Sequence, residues 1–259
     1  TTREFIDDSV KSIVGYDVYS RGSYKANEHL ADAFITTPLT TEIKFTGGID
    51  FRFSASDQEY ESISGFPFSS KLSKDSLQQK QTGVYSAFQL NIKDHFFAEA
   101  GGRLNFHSTF GNNFVFNFNP SFLIAKRLKV FGNLSSGFKT PTLYQLFSEY
   151  GNKKLNPEKS FNAEAGMQYF SKDEKLMARS MFFSRQLTNV IFFFYNPATF
   201  QSQYINQDKQ KDKGFEAEIT YSTNQFRVKA FYSFVDGAVF TKTNGKDTSF
   251  FNLLRRPKH

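Results

Sequence analysis

Along residues 42–56, EIKFTGGIDFRFSAS, apolar and polar positions alternate without a break. Ile43, Phe45, Gly47, Ile49, Phe51, Phe53 and Ala55 fall on one side, and Glu42, Lys44, Thr46, Gly48, Asp50, Arg52, Ser54 and Ser56 on the other. A period of two marks an extended strand whose faces meet different surroundings. This run would reach about 50 Å, well beyond an ordinary globular strand. The pattern recurs at 96–106, 114–124, 161–169 and 215–221. Residues 82–92 and 175–194 are also strand-like, but alternation does not resolve their facing. The pattern predicts about eleven strands, near 9–20, 27–37, 42–57, 80–92, 96–108, 112–124, 128–138, 159–170, 175–195, 201–222 and 226–237.

The connections are of two kinds. Short turns are expected at Pro38–Thr41, Lys93–His95, Lys126–Arg127, Lys172–Lys175 and Thr223–Gln225, and long ones at about 58–80, 138–159 and 237–255. The two kinds alternate, as in an up-and-down sheet with one busy end. A soluble sandwich or barrel would bury the phenylalanines, whereas a transmembrane barrel turns them to lipid and keeps charges in the lumen. The polar side holds Glu42, Lys44, Asp50, Arg52, Glu99, Arg103, Glu164, Glu216, Glu218, Arg227 and Lys229, which a wet or plugged lumen tolerates. The expected fold is therefore all-β, an antiparallel up-and-down transmembrane β-barrel. A soluble ligand-binding barrel is the competing architecture, and it predicts a chain that stays in solution without detergent.

Composition sharpens this picture only at a few points. Hydrophobic residues are 39% of the 259, and the aromatics are 34 Phe and 12 Tyr with no Trp, residues that suit a pleated surface. No run of about 18 apolar residues suggests a transmembrane helix. The first residues, TTREFIDDSVKS, lack the layout of a signal peptide. Cysteine is absent, so disulfides, zinc-thiolate sites and cysteine nucleophiles are excluded. The net charge is +7, but the basic residues are not gathered into one nucleic-acid motif. The densest run, Lys209–Lys213, reads as a solvated strand end or loop.

The stretch from Ser135 to Tyr169, SSGFKTPTLYQLFSEYGNKKLNPEKSFNAEAGMQY, carries a resemblance. Its ordered positions are Phe138, Lys139, Pro141, Leu143, Leu146, Gly151, Asn152, Leu155, Pro157, Glu158, Ser160, Glu164 and Gly166. Lys211–Ile219, KDKGFEAEI, and Leu253–His259, LLRRPKH, with Arg255, Arg256 and Pro257, add to it. Together they resemble the TonB-dependent outer-membrane receptors, and within them the cobalamin-receptor-like and iron-chelate-receptor-like group. The resemblance implies a 22-strand barrel in the outer membrane of a Gram-negative bacterium, closed by an N-terminal plug domain that couples to the TonB complex. No plug-like segment or terminal aromatic is read here, so residues 1–259 are expected to form part of such a barrel, or a chain that a second one completes. The implied activity is active uptake of a scarce nutrient such as cobalamin or an iron–siderophore chelate; a passive channel or adhesin-like barrel is the alternative. The implied partners are membrane lipid, a corrin or metal-chelate ligand and a surface lipoprotein.

Local residues have plain meanings beside this. Pro141 is expected at the start of a short helical stretch, where a missing N–H is harmless, and Gly151-Asn152 and Asn156-Pro157 are turn signals. The motif residues are thus expected to shape an external loop and its return to the barrel. Candidate ligand contacts are the loop aromatics Tyr60, Phe66, Phe68, Tyr144, Phe147 and Tyr150, with Tyr195 beside the 196–199 turn. Catalysis is not expected: the histidines are scattered, no phosphate loop or nucleophile elbow occurs, and Glu216 with Glu218 read as lumenal charges. No cofactor is expected. Asp57, Glu59 and Glu61 lack the loop geometry of a calcium site, so no metal is expected either.

Overall fold

A computed structural model describes residues 2–11, 17–63, 67–197, 199–243 and 246–252. The strands are β1 (Thr2–Lys11), β2 (Asp17–Pro38), β3 (Ile43–Ile63), β4 (Phe68–Leu72), β5 (Gln78–Ile92), β6 (Phe96–His107) and β7 (Gly111–Ile124). β8 (Leu128–Lys139), helix α1 (Leu143–Phe147), β9 (Glu158–Phe170), β10 (Leu176–Asn196), β11 (Gln201–Ser222), β12 (Arg227–Thr243) and β13 (Lys246–Asn252) complete the order. All thirteen strands form one sheet in which sequence neighbours pair antiparallel, with β4 set aside on β3. This is the up-and-down β architecture that alternation predicts. Among the described residues no helix is long and apolar enough to cross a membrane, which says nothing of crossing by strands.

The structure adds β4 and β13 to the eleven expected strands. The expected long connection at 58–80 is largely strand: β3 runs on to Ile63, and β4 and the start of β5 follow. Of the expected connection at 237–255, the described residues form the end of β12 and all of β13, and 244–245 and 253–255 lie outside the described residues. At the start, the expected strand 9–20 spans the end of β1 and the first residues of β2, and 12–16 lie outside the described residues. The β3 extension carries Gln58 and Ser62 on one face and Glu59 and Glu61 on the other, so it lacks the alternation that identifies a half-buried strand.

Strand pairing fixes the faces. Asp32, Asp50, Gly83, Asn105 and Asn113 form one cross-strand row, and Ile49, Val84, Leu104 and Phe114 form its neighbour on the opposite face. The apolar face is open to its surroundings, with Phe182 at 64% and Phe114 at 59% exposure. At β12 it runs from Phe226, just before the strand, to Phe234, about 27 Å along the chain, or about 20 Å of height at barrel tilt, most of the roughly 25 Å apolar band of a membrane barrel. The turns on one side are tight. Lys93 with Asp94 and Ala125 with Lys126 have positive φ, and His95 N–H and Arg127 N–H close onto Ile92 and Ile124 carbonyls at 3.0 Å each. Those are type I′ hairpins, whose twist matches the flanking strands.

Candidate functional site

The segment between β8 and β9 builds the site. Thr142 caps α1: its hydroxyl accepts from Gln145 N–H at 3.1 Å, and the Gln145 side chain accepts from Thr142 N–H at 3.0 Å. This reciprocal pair satisfies two backbone donors that a short helix leaves open. Pro141, buried, sits just before the cap rather than within the helix. Leu143 and Leu146 turn inward and are buried, as are Leu155 and Leu77.

Both ends of the segment are pinned. At its root Lys139 Nζ donates to Glu158 Oε2 at 2.7 Å across the β8–β9 pair, while Glu158 Oε1 accepts from Ile191 N–H of β10 at 2.8 Å. Beyond α1, Tyr204 N–H donates to the Tyr150 carbonyl at 3.0 Å and Asn152 Nδ2 donates to the Tyr204 carbonyl at 2.9 Å. Asn156 N–H donates to Asn206 Oδ1 at 2.8 Å. On the other side Tyr24 of β2 donates to Glu149 Oε2 at 2.7 Å, and Tyr144 donates to Glu149 Oε1 at 3.3 Å. The Tyr144 ring lies 5.1 Å from Tyr24 and 6.2 Å from Tyr204.

That bridge reveals the shape of the sheet. β2 and β11 are eight strand steps apart, about 38 Å across a flat sheet. One tyrosine ring touches both, so the sheet curls, and the face bearing Asp50 and Arg103 is the inner one. Burial pushes the Tyr144 phenol up to about 12, with the Glu149 carboxylate adding to it, and burial also raises Tyr150.

Beneath the segment lies a cavity of about 1290 Å³ lined by the inner faces of β2, β3, β5 and β6 and by residues 137–144. Its floor is an ion pair. Arg103 grips Asp50 with two nitrogens, at 2.6 and 2.8 Å, and donates through Nε to Asn105 at 2.5 Å. Such a two-pronged contact fixes geometry as well as charge. The pair crosses β5 directly over Gly83, where a Cβ would collide with both side chains. Tyr85 lies over Gly48 in the same way and donates to Asp32 at 2.9 Å. Arg52, Glu28 and Lys139 place further charges on this wall, with Arg52 and Glu28 at 3.3 Å. The lining thus offers rings, cations and carboxylates to one large guest.

The inner face over β8 to β11 is lined differently. Phe131 rests on Gly166 and Phe183 on Gly214, and Arg179 sits 5.2 Å from the Phe131 ring centroid. Met181 shares this face. Toward the segment's foot, Arg185 pairs with the buried Asp212.

The residues proposed from sequence fall as follows. Lys44, Asp50, Arg52, Glu99, Arg103, Glu216 and Glu218 stand in strands on the inner side by register, whereas Glu42 lies in the turn before β3. Glu99 accepts from Asn117 at 2.7 Å and Gln89 at 3.1 Å, and Glu218 accepts from Lys229 at 2.8 Å. Tyr144 lines the cavity; Tyr150 packs edge-on against Phe193 at 5.2 Å, and Phe147 sits under the Lys153 ammonium at 5.3 Å. Tyr60 belongs to β3, Phe68 to β4 and Tyr195 to β10, so they are strand residues and not loop residues, the first two paired at 6.1 Å. Phe66, Arg255, Arg256 and Pro257 lie outside the described residues. Sequence reasoning passed over Tyr24, Glu149 and Tyr204, whose meeting depends on contacts across long stretches of chain. The Lys139–Glu158 pair was within the quoted motif, but only strand register reveals it. Among the described residues no three acidic or histidine side chains gather as a metal would need.

The model of the family described as "TonB dependent receptor-like, beta-barrel" matches residues 3–259. Solved structures of similar fold include the copper transporter OprC, with 14% identity and a TM-score of 0.70 over 96% of this chain and 44% of that one. The siderophore receptor PirA from Acinetobacter baumannii matches at 14% identity and a TM-score of 0.66, over 90% of this chain and 43% of PirA. The FrpB iron transporter from Neisseria meningitidis matches at 16% identity and a TM-score of 0.65, over 90% and 42%. The chain therefore spans less than half the length of each.

Proposed function

The chain belongs to the TonB-dependent receptor β-barrel family, and from that premise we propose that it forms part of the wall of a Gram-negative outer-membrane receptor. The receptor takes up a metal chelate or corrin by active transport coupled to TonB. The observation that carries this reading is the cavity of about 1290 Å³ between the charged inner wall and the inward-folded 140–157 segment. Its volume exceeds the range of drug-sized pockets, about 300–1,000 Å³, as a bulky chelate requires. A mouth crossed by a pinned segment suits capture followed by release more than free passage. Tyr24 and Tyr144 offer ring faces to a planar or catecholate-like ligand, while Arg52, Arg103 and Lys139 offer charge to its anionic groups. The related copper, iron and siderophore proteins support a metal-bearing cargo and leave its identity open.

The test is binding of a panel of ferric siderophores, cobalamin and copper complexes to the complete receptor in detergent. Tyr144→Ala should weaken the ligand that binds by about tenfold or more, the loss of one stacking contact with its neighbours' order. Equal affinity of parent and variant for every ligand, or no binding by either, overturns the assignment of this cavity.

A further inference from the structure

The cavity is lined by one histidine, to which the uptake reading gives no part. His107 ends β6, is 7% exposed, and stands between Gln81 of β5 and Gly111 of β7. Its Nδ1 accepts two backbone N–H groups of the turn to β7, from Thr109 at 3.1 Å and from Phe110 at 3.3 Å. A ring nitrogen that accepts carries no proton, so the ring is neutral and its one proton sits on Nε2. The turn thus fixes the tautomer, and its neighbours fix the ring. The Phe110 ring centroid lies 5.1 Å away; Ser108 N–H donates to the Lys80 carbonyl at 2.9 Å, and its hydroxyl accepts from Lys80 N–H at 3.1 Å. Among the described residues Nε2 has no partner. The amides on the same inner face lean the same way. Asn105 Oδ1 accepts from Arg103 Nε at 2.5 Å and from Gln81 Nε2 at 3.1 Å, and Asn113 Oδ1 accepts from Asn105 Nδ2 at 3.1 Å. Both asparagine oxygens are spent, while Asn113 Nδ2, diagonal to His107 across the β6–β7 pair, is buried without a partner. This corner therefore presents N–H groups beside the Arg103 guanidinium.

We propose that His107 is a specificity residue whose Nε2–H donates to an anionic oxygen of the cargo's chelator, a carboxylate or a phenolate, and that its imidazole does not ligate the cargo's metal. The inference rests on the reading that the cavity holds the cargo. A metal needs a bare lone pair, and both nitrogens are committed, Nδ1 to the turn and Nε2 to its proton. Taking a metal at Nε2 would move the proton to Nδ1 and set it against the Thr109 and Phe110 N–H groups. Those two donors would then lose their acceptor inside a buried turn, which is costly. An oxygen acceptor requires no rearrangement, and a charged one forms the stronger bond. The adjacent guanidinium favours the same sign of charge.

The test separates the two jobs of one ring. In His107→Asn the side-chain oxygen can accept the same two N–H groups, as asparagine does in turns, but no donor stands in place of Nε2. In His107→Gln an amide N–H takes the place of the Nε2 donor and the turn loses its acceptor. Ferric citrate, a ferric tris-catecholate and cobalamin are titrated into the complete receptor in detergent. His107→Asn should bind the ferric probe that the parent binds about 10- to 100-fold less tightly, the range for one hydrogen bond to a charged group, with its urea midpoint unchanged. His107→Gln should lose less affinity and show a lowered midpoint. The probe that responds tells carboxylate from phenolate. Equal affinity of parent and His107→Asn overturns the proposal, as does the reverse order of the two variants. Nitrogen-15 NMR of histidine-labelled receptor, with His107→Asn assigning the signal, should show a proton on Nε2 and none on Nδ1; the other tautomer overturns the proposal whatever the cargo does. Cu²⁺ added alone should give the same spin-resonance spectrum with parent and His107→Asn, and a nitrogen coupling lost in the variant overturns it too. If the parent binds cobalamin but neither ferric probe, the cavity reading stands and this proposal falls; if it binds none of the three, both fall.

Discussion

Over β3, β5 and β6 the inner wall is held by charge; over β8 to β11 rings lie on the wall beside the ion pairs. In the first sector the Arg103 guanidinium passes over Gly83 to reach Asp50, and in the second Phe131 and Phe183 lie over Gly166 and Gly214. Both depend on strand residues without a side chain, yet what fills the gap differs. Over Gly83 it is the flexible ends of long polar side chains. At Gly214 an added Cβ would also meet the Phe234 backbone carbonyl, which cannot step aside. The difference teaches that a barrel's inner face need not be uniformly polar. A glycine lets the backbone itself serve as floor for a ring, whereas in the charged sector it clears a path for an ion pair.

The largest expected effect breaks the ring-lined sector. Gly214→Val should cost about 3 kcal/mol, the upper range for overpacking, read as a lowered urea midpoint of the complete receptor in detergent. Gly83→Ala, which meets only movable side-chain ends, should cost less than half as much. Equal costs would mean that the two sectors are not different in kind. Next is Arg103→Met. Asp50 is 9% exposed, so losing its guanidinium should cost about 2 kcal/mol, discounted from the buried-pair range because Arg103 itself is partly open. Adding Asp50→Asn should restore most of that loss, and a double variant as unstable as the single one would deny that the pair acts as a unit.

The smallest effect concerns the segment that roofs the charged sector. Tyr144 has its phenol raised from 10.0 to about 12 by burial and by Glu149. A raised folded-state value means the neutral form is favoured by the fold. The contribution is therefore complete below pH 10 and is lost as pH climbs through about 12. The difference in tyrosinate absorbance between the parent and Tyr144→Phe should titrate in that window. Glu149→Gln should lower the midpoint while leaving it above 10, because burial is the larger cause. A midpoint at 10 in the parent would place Tyr144 in open water.

The charged sector was the legible one. Two of its strands, β3 and β6, alternate cleanly, so the facing of Asp50, Arg52, Glu99 and Arg103 follows from parity alone, although that of β5 does not. The ring-lined sector was not, because β10 carries Phe182 outward and Met181 and Phe183 inward, and an apolar residue on each face erases the alternation. The turns at Lys93–His95 and Lys126–Arg127 stand where they are expected, but their type was not legible: Lys-Asp and Ala-Lys fill type I′ positions that glycine and asparagine usually announce. The site was half legible. The segment's caps and turn residues can be read locally, but Tyr24 and Glu149 are 125 residues apart and meet only once the sheet has curled.

That meeting makes the 140–157 segment a tie across an arch. An arch without a tie spreads when loaded, and here the chord from β2 to β11 is held at unequal strength. The β11 footing is bolted through backbone, by Tyr204 N–H to the Tyr150 carbonyl and by Asn152 to the Tyr204 carbonyl. The β2 footing is made through side chains, with the Tyr24 hydroxyl on Glu149 and two tyrosine rings in edge contact. Under strain the tie therefore slips at β2 first and stays anchored at β11, so the span opens like a gate hung on one post.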